Sequence, residues 1–219
     1  MSELTLVIGN KNYSSWSLRP WLALRHADIP FTEKQVLLSG ENWEKAIAAV
    51  SPSRRVPVLL HGERTIWESL AILEYVHELF PEAGLWPEDR DARAMARSIA
   101  CEMHAGFAAL RTCMPMNLRR TDLKGKGRGP GVANDIDRVC EIWRECRDRF
   151  GKGDDFLFGG FGAADAMFAP VVTRLDTYGV ELDDTCAAYS RAVLTLPAFV
   201  EWRDAALREP WVVAEDEID

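Results

Sequence analysis

The 219-residue chain changes its pattern near residue 80, and this change limits the folds that it can adopt. Before residue 80, short apolar runs alternate with helical periodicity, and after it every strong pattern is helical. Alternating strand and helix signals predict an α/β layer, whereas consecutive helical patterns predict a bundle. We therefore predict an α/β domain over residues 1–80, a turn-rich linker over residues 81–90 and an all-helical domain over residues 91–219.

The first part predicts the order β-α-β-α-β-β-α, and hence a four-stranded mixed sheet. Two short apolar runs flank the turn His61-Gly62-Glu63, which is typical of a β-hairpin. The predicted strands and helices cover residues 4–8, 16–26, 31–38, 42–50, 58–60, 64–67 and 69–80.

The second part predicts helices over residues 91–117, 134–150, 163–178, 184–194 and 197–207. The segment 163–178 begins with a nearly continuous apolar run, which indicates a buried helix. In the long helix over residues 91–117, one apolar stripe is formed by Met95, Ile99, Met103, Phe107, Leu110 and Met114.

Composition excludes several classes of function. The net charge of −8 disfavours a nucleic-acid partner. The five cysteines are odd in number and lack CxxC spacing, which indicates free thiols in a reducing compartment. The four histidines have no zinc spacing, so we expect no metal. The chain has no signal pattern and no apolar run of membrane-spanning length, so we expect a cytoplasmic protein with no membrane partner.

A serine-rich segment, Ser14-Ser15-Trp16-Ser17-Leu18-Arg19, stands where the first strand and loop lead into the first helix. Serine favours the N-cap of a helix, so the segment taken alone needs no chemical role.

Two further motifs each have a structural and a functional interpretation. In Arg55-Val56-Pro57, the proline suggests an ordinary turn or a cis bond that turns the backbone of Val56 outward to an extended ligand. Glu68-Ser69 begins a helix, where it could be a capping pair or a site for the ammonium and carboxylate groups of an amino acid.

Taken together, the order and spacing of these motifs resemble the cytosolic glutathione transferase family along the full chain. The pattern Ser-x-x-Ser-x-Arg at Ser14 to Arg19 resembles the active-site segment of the serine-type classes, zeta and tau in particular. Val56-Pro57 resembles the cis-proline step of the family, and Glu68-Ser69 resembles its γ-glutamyl site.

The resemblance implies a thioredoxin-like domain that binds glutathione and a helical domain that binds a small, apolar electrophile. Ser14 would donate a hydrogen bond to the glutathione sulfur and favour its thiolate, with Ser15 as the alternative catalytic hydroxyl. Val56 and Pro57 would place the cysteinyl part, Glu68 and Ser69 would bind the γ-glutamyl part, and Arg55 would neutralise a carboxylate. The family is mostly dimeric, so the resemblance also implies a homodimer.

The absence of cysteine before residue 101 discriminates among the relatives. Omega-class relatives and glutaredoxins have a cysteine where this chain has Ser14, so the resemblance favours conjugation, isomerisation or dehalogenation over thiol–disulfide exchange. A maleylacetoacetate isomerase is the alternative enzyme, although zeta-class members have cysteine at the position of Trp16. A non-catalytic ligand-binding or regulatory protein on the same fold is the alternative from another class.

The second-substrate pocket would lie beside the first long helix of the helical domain, lined by Met103, His104, Phe107, Arg111 and Met114. The same stripe is equally compatible with plain core packing. The stretch from Arg119 to Gly131 is basic, and it is typical of a solvated loop or of a surface for an acidic partner.

One position departs from the family. The family has Ser or Thr three residues before an Asp at the start of a buried helix, whereas this chain has Gly162 before Asp165. Glycine is an acceptable cap but supplies no side-chain acceptor, so the departure concerns the local cap.

Overall fold

The computed structural model of the chain describes residues 3–38 and 43–218. Within these residues the first part follows the predicted order β-α-β-α-β-β-α. The strands are β1 (Leu4–Ile8), β2 (Thr32–Gln35), β3 (Val58–His61) and β4 (Arg64–Trp67), and the helices are α1 (Ser15–His26), α2 (Trp43–Ala48) and α3 (Ser69–Leu79). The predicted helix over residues 42–50 includes Asn42, which lies outside the described residues.

The four strands form one mixed sheet in the order β2-β1-β3-β4, as the sequence predicts. Strand β1 is parallel to β2, with Thr5 opposite Thr32, and antiparallel to β3, with Leu6 opposite Leu59. Strand β4 pairs antiparallel with β3 through a tight hairpin. All four residues of β2 are exposed, which explains the polar character of this edge strand.

The second part is helical and follows a 3₁₀ turn at Pro81–Ala83. The helices are α4 (Arg90–Ala105), α5 (Ala108–Cys113), α6 (Val132–Phe150), α7 (Ala163–Thr177), α8 (Asp184–Thr195) and α9 (Pro197–Leu207), followed by a 3₁₀ turn at Ala214–Asp216.

The single helix predicted over residues 91–117 is wrong, because the chain breaks between α4 and α5. Gly106 ends α4, and Phe107 adopts a left-handed conformation with φ of 55° that no helix accommodates. The carboxylate of Asp135 on α6 accepts the backbone N–H of Leu110 at 2.9 Å, which satisfies one donor of the first turn of α5.

Helix α7 is the centre of the molecule. Every residue from Ala163 to Leu175 is buried, as the apolar run predicts. Helices α1 and α4 pack against it, so the sheet-bearing part and the helical part share one hydrophobic core. This shared core fixes the N-terminus of α1 relative to the helices that face it.

The start of α7 explains the glycine that departs from the family pattern. A Cβ atom at Gly162 would lie 2.8 Å from the backbone oxygen of Leu85, and that oxygen accepts the N–H of Ala163 at 2.7 Å. Asp165 supplies the other half of the cap by accepting the N–H groups of Gly162 at 2.9 Å and Leu157 at 3.1 Å. A serine or threonine at position 162 would collide with the linker backbone.

Candidate active site

The serine-rich segment forms the N-terminus of α1. Ser14 is the N-cap, and its Oγ accepts the N–H of Ser17 at 3.4 Å and donates to the Oγ of Ser17 at 2.8 Å. Ser15 is the first residue of the helix. Both hydroxyls therefore lie at the positive end of a helix, where an anion is stabilised.

The loop that precedes Ser14 is held by the C-terminal part of the chain. The carboxylate of Glu209 accepts the backbone N–H groups of Lys11 at 2.7 Å and Asn12 at 3.0 Å. The indole N–H of Trp202 donates to the carbonyl oxygen of Lys11 at 3.0 Å. These hydrogen bonds join residues from opposite ends of the sequence, and they fix the position of the serine segment.

The segment that leads into β3 faces the serines across a cleft. The Val56-Pro57 peptide bond is cis, one of the two forms that the sequence left open. Ser51 Oγ donates to the carbonyl oxygen of Arg55 at 2.7 Å and accepts the N–H of Arg55 at 3.1 Å, so the backbone before the cis bond is fixed locally. Val56 itself is half-buried and lines the cleft.

Glu68 is placed for ligand binding by an uncommon backbone conformation. Its φ of 69° and ψ of 128° cost about 1–3 kcal/mol for a residue with a side chain, and such residues cluster at functional sites. The carboxylate lies 3.5 Å from Nε2 of His104. Burial, followed by the charge of Arg19, lowers the pKa of His104, so the imidazole is neutral at neutral pH. The negative charge of Glu68 therefore remains available to a cationic group.

Ser69 occupies a different place from the one its predicted role suggests. Its side chain is fully buried below the cleft, where Oγ accepts from Arg19 Nη1 at 3.5 Å and points to the sulfur of Met167 at 3.9 Å. The first N–H groups of α3, which have no partner within their helix, are what this segment offers to a carboxylate.

Trp16 follows the two serines, and two arginines lie over its ring. The guanidinium carbon of Arg19 lies 4.2 Å from its ring centroid, and that of Arg111 lies 5.3 Å away. The ring of His104 meets it edge-on at 5.2 Å. Cations over the faces of an indole ring are favourable, so Trp16 orders these side chains at the edge of the cleft.

Two arginines near the cleft, Arg19 and Arg174, are buried. Among residues 3–38 and 43–218, neither has a carboxylate within salt-bridge distance. Burial, with Arg174 and Arg111 nearby, lowers the pKa of Arg19 to about 9. Burial and the charge of Arg111 lower the pKa of Arg174 to about 10. Both remain cationic at neutral pH, so this side of the cleft favours an anion.

The cleft has two adjoining lobes that share Trp16, Arg55, Val56 and Arg111. The first lobe, of about 420 Å³, is completed by Ser53, Pro57, Glu68 and His104. The second lobe, of about 520 Å³, contains both candidate serines and residues from the helical part. Each volume is in the range of small-molecule sites. The residues that line only the second lobe are Tyr13, Ser14, Ser15, Leu38, Trp43, Ile47, Arg54, Pro115, Met116, Arg174 and Asp216.

The predicted second-substrate residues divide into two groups. His104 and Arg111 line the cleft. Met103, Phe107 and Met114 do not, because they are buried in the hydrophobic core, as the alternative interpretation of the stripe proposed. An apolar stripe on a helix indicates burial, and burial in a core or against a ligand leaves the same pattern.

Several lining residues were missed from the sequence. Arg174 had a signal, because a lone arginine inside a helix that is otherwise apolar and buried needs a reason. Tyr13 and Trp16 flank the serines, and this adjacency in the sequence was the only signal for them. Asp216 had no signal, because it stands in an acidic stretch near the chain end whose position only the fold determines.

The basic stretch after α5 has a structural role at its start. Arg119 donates to the carbonyl oxygen of Glu209 at 2.7 Å and to the hydroxyl of Tyr13 at 2.8 Å. Arg120 pairs with Glu217 at 2.9 Å. These two arginines hold the C-terminal segment against the loop that precedes Ser14. Most of residues 121–131 are exposed, as predicted for a solvated loop.

No cluster of three or more metal-ligating side chains is present in residues 3–38 and 43–218. Among the helices in those ranges, none combines the length and apolar character needed to cross a membrane.

Family models match both parts of the chain. The glutathione S-transferase N-terminal domain matches residues 13–79, which include the serines, the cis bond and Glu68. The glutathione S-transferase C-terminal domain matches residues 130–205.

Individual relatives and structures agree with these matches. Glutathione S-transferase U16 of Arabidopsis thaliana is 33% identical over 171 residues, covering 74% of this chain and 68% of the relative. A probable maleylacetoacetate isomerase of Caenorhabditis elegans is 25% identical over 191 residues, covering 85% and 86%. The crystal structure of a glutathione transferase homologue from Burkholderia GL BGR1, with bound glutathione, superposes with a TM-score of 0.70 at 22% identity, covering 94% of this chain and 98% of that one.

Proposed function

Because the chain belongs to the glutathione S-transferase family, we propose that it binds glutathione in the two-lobed cleft and joins it, through its sulfur, to a small electrophile. The observation that carries the proposal is the placement of Ser14, Ser15, Val56 and Glu68 in one continuous cleft, with the serines at the N-terminus of α1.

Each part of glutathione has a complementary group. The γ-glutamyl ammonium would pair with Glu68 in the first lobe, and its carboxylate would meet the unpartnered N–H groups at the start of α3. The backbone of Val56 would pair with the cysteinyl part, next to Pro57. Arg55, which is exposed at the junction of the lobes, would neutralise the glycyl carboxylate. In this arrangement the sulfur would lie in the second lobe near Ser14.

Catalysis would then consist of ionising and orienting the thiol. A free thiol has a pKa of about 8.5, and a hydroxyl donor, a helix N-terminus and nearby guanidinium groups all favour the thiolate. The thiolate sulfur attacks the electrophilic carbon, an S–C bond forms, and the leaving group departs with the electron pair of the broken bond. The reaction would be accelerated chiefly because the protein holds the thiolate and the electrophile in a reactive orientation.

The proposal is tested by calorimetric titration of glutathione and by a conjugation assay with an activated aryl chloride. We expect saturable glutathione binding and a conjugation rate well above that in buffer, falling by about 100-fold in Ser14→Ala. No binding of glutathione at millimolar concentration would overturn the proposal and would favour a non-catalytic ligand-binding or regulatory protein on this fold.

A glutathione-dependent isomerase is the second candidate. It is supported by the maleylacetoacetate isomerases among the relatives, including the Caenorhabditis elegans and Rattus norvegicus proteins at 25% and 26% identity. An isomerase would convert a cis-alkene substrate without consuming glutathione, whereas a transferase consumes one glutathione per product. Measuring the glutathione balance with each substrate class therefore separates the two activities.

We also propose that the chain forms a homodimer and acts in the cytoplasm. Trp67 on the edge strand β4 is 43% exposed, and an exposed tryptophan on an edge strand is a candidate for an interface. All five cysteines are free thiols, in keeping with a reducing compartment. Sedimentation at several concentrations, for the native chain and for Trp67→Ser, tests the dimer: dissociation in the variant alone would support this interface.

A further inference from the structure

The second lobe has an unequal distribution of charge on the side formed by the helical part. Arg111 on α5 and Arg174 on α7 line this side, together with the apolar Pro115 and Met116. One carboxylate, Asp216, lines it from the C-terminal segment. The two guanidinium groups differ in how far the protein already satisfies them.

Arg174 is largely satisfied by the protein. It is 4% exposed, and its Nε donates to the carbonyl oxygen of Met114 at 2.8 Å while Nη1 donates to that of Pro170 at 3.0 Å. Asp216 is the carboxylate whose charge acts on it. A substrate anion at Arg174 would therefore have to compete with Asp216.

Asp216 is held in the lobe by its neighbour. The carboxylate of Glu217 accepts hydrogen bonds from the hydroxyl of Tyr13 at 2.6 Å, from Asn117 at 2.8 Å and from Arg120 at 2.9 Å. Three donors from two other segments fix this point of the C-terminal segment. Asp216, one residue earlier, is thus held in the wall of the lobe that Arg174 also lines, where its charge acts on Arg174.

Arg111 has unused donors. One nitrogen, Nη1, donates to the carbonyl oxygen of His104 at 3.1 Å, and the guanidinium lies over the ring of Trp16. In the part of the chain that the structure describes, no carboxylate lies within salt-bridge distance of it. A planar guanidinium with free N–H groups at the edge of a cleft is well suited to bind a carboxylate in a bidentate manner.

We propose that Arg111 and Asp216 determine which electrophiles the second lobe accepts: Arg111 binds one anionic group, and Asp216 offsets Arg174 and disfavours a second. This inference rests on the proposed glutathione-dependent function. It specifies the electrophile as a small molecule with an apolar reactive part and a single carboxylate or similar anion. An electrophile with two carboxylates would place one of them against Asp216, at a cost from like-charge repulsion.

Unreactive ligands test this selectivity without depending on turnover. The full chain, with and without saturating S-methylglutathione, is titrated calorimetrically with para-nitrobenzoate, its neutral amide para-nitrobenzamide, and the dianion nitroterephthalate. We expect the monoanion to bind about tenfold tighter than the amide, and tighter than the dianion. Arg111→Gln should abolish the preference for the monoanion, and Arg111→Lys should retain part of it. Asp216→Asn should improve binding of the dianion by about tenfold.

Matched variants control for general changes in charge. Arg191→Gln removes an exposed arginine of α8, and Glu215→Gln removes the carboxylate next to Asp216, so both should leave all three affinities unchanged. Equal affinity for the monoanion and the amide, or no response to Arg111→Gln and Asp216→Asn, would overturn the inference. Failure of S-methylglutathione to bind would overturn the proposed function instead, and the ligand series without it would still decide the charge selectivity.

Discussion

Ser14 Oγ donates a hydrogen bond to Ser17 Oγ over 2.8 Å, and Ser17 Oγ also accepts the backbone N–H of Gly9 at 3.0 Å. The hydroxyl proton of Ser14 is thus directed into the protein. A hydroxyl can rotate its proton, so Ser17 could donate to Ser14 while Ser14 donates to a bound sulfur. Ser17 would then act as a positioning residue for the catalytic hydroxyl.

Ser17→Ala should therefore weaken catalysis through Ser14. We expect kcat to fall by about tenfold with little change in the affinity for glutathione, because the orientation of one donor is lost and no ligand contact is removed. The pKa of the bound thiol should rise part of the way toward that of free glutathione. Steady-state kinetics and a pH titration measure both effects, with Ser98→Ala on the exposed face of α4 as the control. An unchanged thiol pKa would mean that Ser17 serves only to anchor the loop.

Glu68→Gln should weaken glutathione binding without affecting the chemical step. The substitution keeps the shape of the side chain at this uncommon backbone conformation and removes the charge that would pair with the γ-glutamyl ammonium. We expect Kd to rise by about tenfold and kcat at saturation to be unchanged. Glu63→Gln, in the exposed turn between β3 and β4, is the matched control. Equal affinities of the native chain and both variants for glutathione would show that Glu68 does not bind the γ-glutamyl ammonium.

Glu217→Gln should loosen the C-terminal segment in a pH-dependent manner. Burial alone would raise the pKa of Glu217, but hydrogen bonds from Tyr13 and Arg120 outweigh it and hold the pKa below its usual range. Because the pKa is depressed in the folded state, the carboxylate contributes fully above its unfolded value of about 4.3, and the contribution is lost as the pH falls through the folded value.

We therefore expect Glu217→Gln to lower the free energy of unfolding by about 1 kcal/mol at neutral pH and to have no effect at pH values below the folded pKa. Urea unfolding at several pH values measures this difference, and hydrogen exchange reports whether residues 209–218 become less protected. A difference between the two proteins that is independent of pH would contradict the role assigned to the carboxylate.

Gly162→Ala tests the physical reason for the unusual cap of α7. The added Cβ would lie 2.8 Å from the backbone oxygen of Leu85, closer than such atoms approach, so the linker or the helix must shift. We expect a loss of about 2 kcal/mol in the free energy of unfolding, measured by urea titration. Gly160→Ala is the matched control, because its Cβ position has open space around it and, like Gly162, it has no positive φ, so it reports the effect of the added methyl group without a collision. An unchanged free energy of unfolding in Gly162→Ala would show that the linker backbone shifts at little cost.

The fold could be predicted from the sequence wherever the local pattern favours the same secondary structure and burial that the tertiary structure has. The alternating runs before residue 80 and the buried apolar run of α7 are of this kind. The break between α4 and α5 was not predictable, because Phe107 continues the apolar stripe while its backbone leaves the helix. Its left-handed conformation depends on tertiary packing, and the hydrophobic periodicity of the sequence does not reveal it.

The candidate site was predictable only for residues that belong to a local motif. Ser14, Val56 and Glu68 fall in short segments whose spacing carries information, and all three line the cleft. Asp216 and Arg174 come from distant segments that the fold brings together, so no local pattern pairs them. Which serine hydroxyl serves the sulfur also depends on side-chain orientation, which the residue types alone do not determine.

The most direct test of the central claim is the pKa of the glutathione thiol on the protein, followed by thiolate absorbance as a function of pH. We expect a value well below the free value of about 8.5 for the native chain and for Ser15→Ala, and a return toward the free value in Ser14→Ala. A value that stays near 8.5 in the native chain, with glutathione bound, would contradict thiolate stabilisation by this site.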